Sequence, residues 1–256
     1  MMDTTHNDTA IDIQNIVKHF GDQLVLDDLN LTVIQGETLV IIGCSGCGKS
    51  VLLKHMIGIL KPEEGRIFVN GTDIVPLPEN RLLEIRSQFG MVFQGAALFD
   101  SMNVWENVAF SLTEHGKTPR KEIDERVKYC LDIVGLRGTE QKSPDELSGG
   151  MRKRVGVARA IAHQPKIILY DEPTTGLDPV TGDTINDLII RARERLDVTS
   201  VAVTHDLHSA YKIADRMAMM ASGKIITVGT PREIWESEDP HVRQFISAGG
   251  AAAFTE

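Results

Sequence analysis

The sequence lacks any long hydrophobic run, and its continuous apolar stretches are short, as in Leu39-Val40-Ile41-Ile42. A helix that crosses a bilayer needs about 20 predominantly apolar residues, so we do not expect the chain to enter a membrane by itself. Residues 1–10 are polar and contain no Lys or Arg, whereas a secretory signal has a basic start followed by an apolar stretch. We therefore expect a protein of the cytoplasm.

Cysteine and positive charge are also scarce. The 3 Cys in 256 residues do not make a disulfide framework. Lys and Arg number 27 against 36 Asp and Glu, which gives a formal net charge of −9. This acidic balance argues against a general nucleic-acid binder and against electrostatic docking on anionic lipid. The 42% hydrophobic content and the length instead fit a globular protein with a sizeable core.

Strand and helix patterns alternate along the chain, which predicts a mainly parallel sheet with helices on both faces. Strand patterns occur at 29–33, 38–42, 65–71, 89–93, 166–170 and 199–203. Helix patterns occur at 50–60, 123–134, 185–196 and 206–214, and a hairpin is predicted near 223–229. Residues 95 to about 146 carry few β-branched runs, and the helical stretch at 95–165 is expected to form an inserted subdomain.

A glycine-rich segment lies between a predicted strand and a predicted helix and has the pattern G-x-x-x-x-G-K-S. Its glycines allow a tight turn whose N–H groups point at phosphate oxygens, and the helix adds its positive N-terminal end. Lys49 is expected to reach the β- and γ-phosphates, and the Ser50 hydroxyl to coordinate Mg²⁺. The predicted nucleotide-binding residues here are Gly43, Cys44, Ser45, Gly46, Cys47, Gly48, Lys49, Ser50 and Val51. A glycine-rich turn without a ligand is the competing interpretation, and the strand–helix context disfavours it.

Cys44 and Cys47 form a C-x-x-C within this loop. Zinc normally needs four ligands and only Cys130 remains as a thiol, so the favoured interpretation is that small residues fill variable positions of the loop. Because the two thiols lie beside the predicted phosphate site, oxidation that inhibits nucleotide binding stays a hypothesis.

The predicted strand at 166–170 is followed by two acids, Asp171 and Glu172. Consecutive side chains of a strand point to opposite faces, so the two acids are expected to have different roles. Asp171 would hold Mg²⁺, directly or through water, and Glu172 would orient and deprotonate an attacking water. A solvated strand end before Pro173 is the alternative, which the upstream glycine-rich loop disfavours.

Several further motifs follow in a fixed order. They are Gln94 at the end of a predicted strand, Leu-Ser-Gly-Gly-Met at 147–151, Thr-Thr-Gly-Leu-Asp at 174–178, and His205 after a strand. With these motifs, residues 11–235 resemble the nucleotide-binding subunit of ATP-binding cassette (ABC) transporters. The resemblance implies an α/β P-loop NTPase fold of ABC type, with a mainly parallel central sheet, an antiparallel β subdomain and an inserted α-helical subdomain. The core would comprise residues 11–94 and 166–235, the helical subdomain 95–165, and a C-terminal tail 236–256.

The resemblance implies roles for single residues in addition. Phe20 would stack on adenine, and Gln94 would touch Mg²⁺ or the attacking water. His205 would touch the γ-phosphate. With Lys49 and Glu172, Gln94 and His205 complete the expected catalytic set, and Ser50, Gln94 and Asp171 form the expected metal-binding set.

The Leu-Ser-Gly-Gly-Met segment resembles the signature motif of the family. Ser148, Gly149 and Gly150 would contact the γ-phosphate bound to the opposite subunit, so two chains would enclose two ATP molecules. Asp178 matches the D-loop of the family. Met151 stands where the family usually has Gln, and it is expected to leave catalysis intact.

Three local segments resemble one particular subfamily of ABC ATPases. Residues 93–110, the Leu-Ser-Gly-Gly-Met signature and residues 239–245 look like those of the MlaF-like ATPases of the maintenance-of-lipid-asymmetry system, whose relatives work with mammalian-cell-entry (MCE) proteins. This implies an ATP-hydrolysing subunit on the cytoplasmic face of an inner membrane that powers phospholipid transport between inner and outer membranes. The implied cofactors are ATP and Mg²⁺. The implied partners are a second copy of the ATPase, an MlaE-like permease, an MlaD-like MCE protein and an MlaB-like STAS-domain protein, with no nucleic acid.

Other interpretations remain open at this point. An ATPase of another importer, such as one for amino acids, would use the same site residues. A soluble ABC protein of DNA repair or translation usually has a long coiled-coil insertion or two cassettes, whereas this sequence has one cassette and no heptad run. A non-hydrolysing scaffold is disfavoured because both Lys49 and Glu172 are present.

Overall fold

The computed structural model describes residues 8–114 and 118–248. The expectations for the polar start at 1–7 and for the Gly- and Ala-rich end of the tail at 249–256 lie outside the described residues. The strands are β1 (Thr9–Phe20), β2 (Gln23–Ile34), β3 (Thr38–Ile42), β4 (Glu64–Val69), β5 (Thr72–Asp73), β6 (Phe89–Val92), β7 (Ile167–Asp171), β8 (Thr199–Thr204), β9 (Arg216–Ala221) and β10 (Lys224–Gly229). The helices are α1 (Lys49–Met56), α2 (Glu79–Arg86), α3 (Val104–Glu114), α4 (Arg120–Ile133), α5 (Gly149–Ala162), α6 (Pro179–Leu196), α7 (Leu207–Ile213), α8 (Pro231–Trp235) and α9 (Pro240–Ala248).

The chain divides into two compact units. The first unit comprises Met1–Arg86 and Thr199–Glu256, and the second unit comprises Ser87–Val198. The predicted helical insert at 95–165 lies within the second unit, and its exact borders stay a prediction. Among the helices of the described residues, none is both long enough and apolar enough to cross a membrane.

An antiparallel sheet forms one part of the first unit, with the strand order β2-β1-β4-β5. In β2, Leu29, Leu31 and Val33 are buried and alternate with exposed residues, as the sequence pattern predicts. One face of this strand therefore packs against the core, and the other faces solvent.

The remaining strands of the first unit have the order β10-β9-β3-β8. Strand β3 is buried at every position and pairs in parallel with β8 and β9, which explains its continuous apolar run. Ile42 at the end of β3 lies opposite Thr204 at the end of β8. Strands β9 and β10 form the predicted antiparallel hairpin. The two kinds of sheet confirm the expected α/β class.

Helix α1 is shorter than its sequence pattern predicts. The pattern favours a helix over 50–60, but α1 ends at Met56. Gly58 follows with φ of 67°, and its N–H donates to the carbonyl of His55 at 3.0 Å. A glycine in this left-handed conformation terminates helices, and it matters more here than the apolar residues that continue to Leu60.

The second unit is built around α5. This helix packs against α3, α4, α6 and β6, and Val155, Val157, Ala158 and Ile161 along it are fully buried. Strands β6 and β7 pair in parallel, with Val92 opposite Tyr170. Parallel neighbours end at the same edge, so the segments that follow Val92 and Tyr170 leave the sheet side by side.

Candidate functional site

The glycine-rich loop connects β3 to α1 in the first unit, as predicted. Gly48 has φ of 106° and precedes Lys49, the first residue of α1. A Cβ atom on Gly48 would lie 2.8 Å from Cε of Met220 and 3.1 Å from the carbonyl oxygen of Val25. A Cβ on Gly43 would collide with the carbonyl of Met220. The loop therefore needs glycine at both ends, and it leaves the N-terminal N–H groups of α1 uncapped by any side chain at Gly48.

Lys49 lies over this loop. Its ammonium donates to the carbonyl of Gly43 at 2.7 Å and to that of Cys44 at 3.0 Å, and the residue is only 6% exposed. A lysine held in this way places a point charge beside the positive N-terminal end of α1. The combination suits an oxyanion with several negative charges, such as a polyphosphate.

The turn after β8 places His205 at the same sheet edge as this loop. Gly43 directly follows Ile42, His205 directly follows Thr204, and Ile42 and Thr204 are paired across β3 and β8. Asp206 then caps α7, since its carboxylate accepts the N–H of His208 at 3.1 Å. The structure thus brings together the predicted lysine loop and the predicted histidine within one unit.

Phe20, the predicted adenine-stacking residue, ends β1 in the first unit and is 48% exposed. The ammonium of Lys18 lies 5.5 Å from its ring centroid. An exposed aromatic face next to a cation offers a stacking surface, and its role toward adenine stays a prediction.

The second unit places Gln94 and the acidic pair at another strand edge. Gln94 lies two residues beyond Val92, Glu172 lies two residues beyond Tyr170, and Val92 and Tyr170 form a pair of the β6–β7 ladder. Gln94 is exposed, Asp171 is half-buried and Glu172 is buried. Gln94 and Glu172, both predicted to act on the attacking water, therefore follow the sheet at equivalent positions of neighbouring strands.

Glu172 is fixed more firmly than its sequence context suggests. Its backbone has φ of 49°, a left-handed conformation that is unfavourable for residues other than glycine. Thr175 donates from its hydroxyl to Oε2 of Glu172 at 2.8 Å and from its N–H to the carbonyl of Glu172 at 3.3 Å. The carboxylate is thus oriented by a neighbour three residues away.

The Leu-Ser-Gly-Gly-Met segment begins α5, also in the second unit. Ser148 is the N-cap, and its hydroxyl oxygen accepts the N–H of Met151 at 3.3 Å. A Cβ on Gly150 would lie 2.5 Å from Cγ2 of Thr181 on α6, so glycine is needed there for the two helices to approach. Contact of this segment with a nucleotide on another subunit stays a prediction.

Asp178 caps α6 beside that approach. Its carboxylate accepts the N–H of Thr181 at 3.0 Å and the hydroxyl of Thr181 at 2.5 Å. The hydroxyl of Thr181 holds the pKa of Asp178 below its usual value, so the residue stays a carboxylate at the helix N-terminus.

Sequence reasoning missed three residues that hold these turns in the second unit: Lys153, Arg159 and Thr175. The ammonium of Lys153 donates to the carbonyl of Gln94 and, at 3.3 Å, to that of Glu172. Burial lowers the pKa of Lys153, and the charges of Glu172 and Asp171 oppose that shift. One available signal was its spacing, because Lys153 lies three residues after Gly150 and four before Val157, on the buried face of α5.

The structure also shows the state of the three cysteines and which side chains are available for a metal ion. All three cysteines are free thiols, with Cys44 exposed and Cys130 buried in α4. Burial raises the pKa of Cys47. Within residues 8–114 and 118–248, no group of three or more His, Cys, Asp or Glu is arranged to hold a metal ion. The expected Mg²⁺ donors are instead a hydroxyl, an amide and a carboxylate, which suits a cation held mainly by phosphate oxygens.

A lysine-bearing glycine-rich loop between a parallel strand and the N-terminus of a helix, with an acidic strand end in the same chain, defines the class of P-loop nucleoside triphosphatases. Comparison with known proteins narrows this class. A family model described as "ABC transporter" matches residues 26–175. The chain therefore belongs to the ABC transporter family, and it is an ATPase of the ABC class.

Two curated relatives align over nearly the whole chain. The "Intermembrane phospholipid transport system ATP-binding protein MlaF" of Haemophilus influenzae is 42% identical over 94% of this chain and 91% of the relative. The "Probable ribonucleotide transport ATP-binding protein mkl" of Mycobacterium tuberculosis is 44% identical over 93% of this chain, which spans 66% of that relative. A solved structure of the ATP-binding cassette MJ0796, a dimer bound to ADP and Pi after hydrolysis, superposes with a TM-score of 0.79 and 32% identity over 87% of this chain and 99% of that chain.

Proposed function

We propose that this chain hydrolyses ATP to power phospholipid transport between an inner and an outer membrane, as part of a transporter of the maintenance-of-lipid-asymmetry type. The proposal that the transported molecule is phospholipid rests on the 42% identity to a phospholipid-transport ATP-binding protein over 91% of its length. The observation that carries the chemistry is the pair of strand edges, one with the lysine loop and His205, the other with Gln94 and Glu172.

The nucleotide is bound by the first unit in this proposal. Phosphate oxygens accept the loop N–H groups and the ammonium of Lys49, and adenine stacks on Phe20. Mg²⁺, when bound, neutralises charge on the phosphates, and Ser50, Gln94 and Asp171 are the residues that would hold it. His205 donates to the γ-phosphate as charge develops there.

Glu172 is the general base. Its carboxylate is oriented by the Thr175 hydroxyl, and it takes a proton from the water that attacks the γ-phosphate. Gln94 lies at the same strand edge and orients that water. A second chain contributes Ser148, Gly149 and Gly150 to the γ-phosphate, with Asp178 at the subunit boundary. Two chains then enclose two nucleotides, consistent with the dimer of MJ0796 that holds ADP and Pi.

The remaining partners follow from the phospholipid-transport relatives. We propose an MlaE-like permease, an MlaD-like MCE protein and an MlaB-like STAS-domain protein, with this chain on the cytoplasmic face of the inner membrane. Support comes from the 42% identity to a relative that is named as the ATP-binding protein of an intermembrane phospholipid transport system.

A ribonucleotide cargo is the second candidate, because the 44% identical mycobacterial relative is named for ribonucleotide transport. Both candidates share the ATPase site and differ in what the membrane partner carries. The phospholipid assignment is preferred because this chain spans 91% of the phospholipid-transport relative and only 66% of the other.

Substitution of Glu172 tests the chemistry. The Glu172→Gln variant should hydrolyse ATP about 10²–10⁴-fold more slowly and remain as an ATP-bound dimer, because the base is lost while the nucleotide contacts persist. Steady-state ATPase rates and size-exclusion chromatography with ATP measure both effects. A Glu172→Gln variant that stays monomeric with ATP and hydrolyses normally would show that the base is another residue.

Affinity purification from membranes tests the cargo. We expect a permease, an MCE protein and a STAS-domain protein to co-purify, with phospholipid in the purified complex by mass spectrometry. Reconstituted complex should show ATPase activity that responds to phospholipid. Stimulation by ribonucleotides, with no phospholipid in the complex, would instead favour the second candidate.

A further inference from the structure

A buried cation connects the two turns that carry Gln94 and Glu172. Lys153 is 6% exposed, and an ammonium removed from water needs hydrogen-bond partners. Its partners in the second unit are the main-chain carbonyls of Gln94 and Glu172. These are the backbones on which the two proposed water-handling side chains are mounted.

The two carbonyls lie just beyond the last rung of the sheet. Val92 and Tyr170 are paired across β6 and β7, and Gln94 and Glu172 each lie two residues further along. Strand pairing fixes the separation of Val92 and Tyr170. Lys153 provides a further link two residues beyond that pair, where the side chains of Gln94 and Glu172 begin.

Both turns use backbone conformations that need support. Glu172 has φ of 49°, and Ala96 and Ala97 have φ of 61° and 47°. Residues other than glycine persist in this region only where their surroundings hold them. Arg159, six residues after Lys153 on α5, donates to the carbonyls of Ala96 at 2.8 Å and Ala97 at 2.6 Å. Two side chains of α5 therefore hold the segment 94–97 at two points.

The same helix begins at the Leu-Ser-Gly-Gly-Met segment. Ser148 caps α5, and Lys153 lies five residues after Ser148. The helix is packed on α3, α4 and α6, and Ser148 and Lys153 are therefore joined by one packed helix. Lys153 therefore connects the helix that begins at Ser148 to the carbonyls of Gln94 and Glu172.

We propose that Lys153 is a positioning residue for ATP hydrolysis, which sets the spacing of the Gln94 and Glu172 backbones and couples that spacing to the start of α5. The inference rests on the proposed function, which gives Gln94 and Glu172 their roles toward the attacking water. Lys153 makes no contact with the reacting atoms in this mechanism, so its loss affects turnover and leaves nucleotide binding by the first unit in place.

Three variants of the full chain test this inference. Lys153→Met keeps the length of the side chain and removes all donors, Lys153→Gln keeps an uncharged donor, and Lys153→Arg keeps the charge and the donors. Lys128→Met, at an exposed lysine of α4, is the matched control. Each protein is measured for kcat, KM for ATP, ATP affinity by a fluorescent analogue, and Tm.

We expect Lys153→Met to lower kcat about 10- to 100-fold, since a misplacement of reacting groups by about 1 Å has effects of this size. The KM and the ATP affinity should change less than about threefold. Lys153→Gln and Lys153→Arg should each recover part of kcat, and Lys128→Met should behave as wild type. If Lys153→Met does not fold, Lys153→Gln and Lys153→Arg are compared with wild type instead. A lower kcat with a nearly unchanged KM in these variants would then support the inference.

Two results would overturn the inference. One is a folded Lys153→Met or Lys153→Gln variant with unchanged kcat. The other is a parallel fall of kcat, ATP affinity and Tm with no recovery by the donor-bearing variants, which marks a purely structural lysine. Glu172→Gln measured beside them separates the two proposals. An inactive Glu172→Gln with a fully active Lys153→Met removes only the role of Lys153, whereas an active Glu172→Gln removes the proposed role of Glu172.

Discussion

The two strand edges of this molecule are built in opposite ways. The loop after β3 obtains its shape from its own glycines, and Lys49 bonds to carbonyls five and six residues before it. The turn after β7 is held by a hydroxyl three residues away and by an ammonium from α5, nineteen residues before Glu172. The hydrogen bonds of Lys49 at the first edge are thus local in sequence, whereas the second edge also depends on a bond from α5 through the packing of the second unit.

The difference indicates how substitutions should act at each edge. In the proposed mechanism, a change in the loop alters the surface that receives phosphate, so we expect ATP binding and turnover to fall together. A change around Glu172 would alter only the orientation of the groups proposed to act on water, so we expect turnover to fall and ATP binding to persist. Measurements that separate ATP affinity from kcat therefore test the comparison directly.

The largest effect is expected at the local edge. Lys49→Ala should lower hydrolysis about 10³-fold and also weaken ATP binding, because the variant loses the charge that lies over the phosphate loop. Steady-state ATPase assays and titration with a fluorescent ATP analogue measure both quantities. Lys54→Ala, at an exposed lysine of the same helix, is the control and should change neither. Loss of turnover with intact ATP affinity in Lys49→Ala would contradict the contrast between the two edges.

A second prediction sharpens the contrast within the first unit. His205 follows β8 at the same sheet edge as the loop, but it is exposed and lies outside the glycine-rich segment. His205→Ala should slow turnover about 10²-fold with little loss of ATP affinity, since the proposed mechanism has its contact with the γ-phosphate develop in the transition state. Single-turnover hydrolysis and ATP titration check this, with His208→Ala as the neighbouring control. A large loss of ATP affinity in His205→Ala would instead make this residue part of the binding surface.

The local edge could be predicted from the sequence almost completely. Residues 43–50 contain every element of the loop, and the buried run at 38–42 matches β3 in its bounds. The strand pattern at 29–33 and the hairpin near 223–229 are also confirmed. Both signals, period-2 alternation and turn glycines, are local because they act over a few residues. The predicted end of α1 was wrong because the apolar pattern continues past Gly58, whereas the helix ends at Met56.

The second edge could be predicted only in part. Asp171 and Glu172 are recognisable as acids after a buried strand, yet Glu172 is held by Lys153 and Thr175, which no motif assigns to it. A lysine in the run Arg152-Lys153-Arg154 looks like a solvated basic helix start. The spacing of Lys153 from Gly150 and Val157 is a weak signal, and the packing of α5 shows that Lys153 is buried whereas Arg152 is exposed. Contacts that join residues far apart in sequence depend on tertiary structure, and one sequence does not encode them as a motif.

The smallest expected effect concerns the hydroxyl of Thr175. Its hydrogen bond to Oε2 of Glu172 orients the carboxylate, and a single hydrogen bond of this kind contributes about 1–2 kcal/mol net, or roughly a 10-fold change in rate. Thr175→Val keeps the shape of the side chain and removes the donor, whereas Thr175→Ser keeps the donor. We therefore expect kcat to fall up to about 10-fold in Thr175→Val and to stay near wild type in Thr175→Ser, with ATP affinity unchanged in both.

The comparison of these two variants is informative because the backbone contact is kept. The N–H of residue 175 donates to the carbonyl of Glu172 whatever the side chain, so the left-handed turn retains one of its supports. A fall in kcat in both variants would assign the effect to packing rather than to the hydroxyl. Unchanged kcat in both would mean that the turn itself, through Lys153 and the backbone of Thr175, is sufficient to place Glu172. The support of the second edge would then come from α5 and the main chain alone.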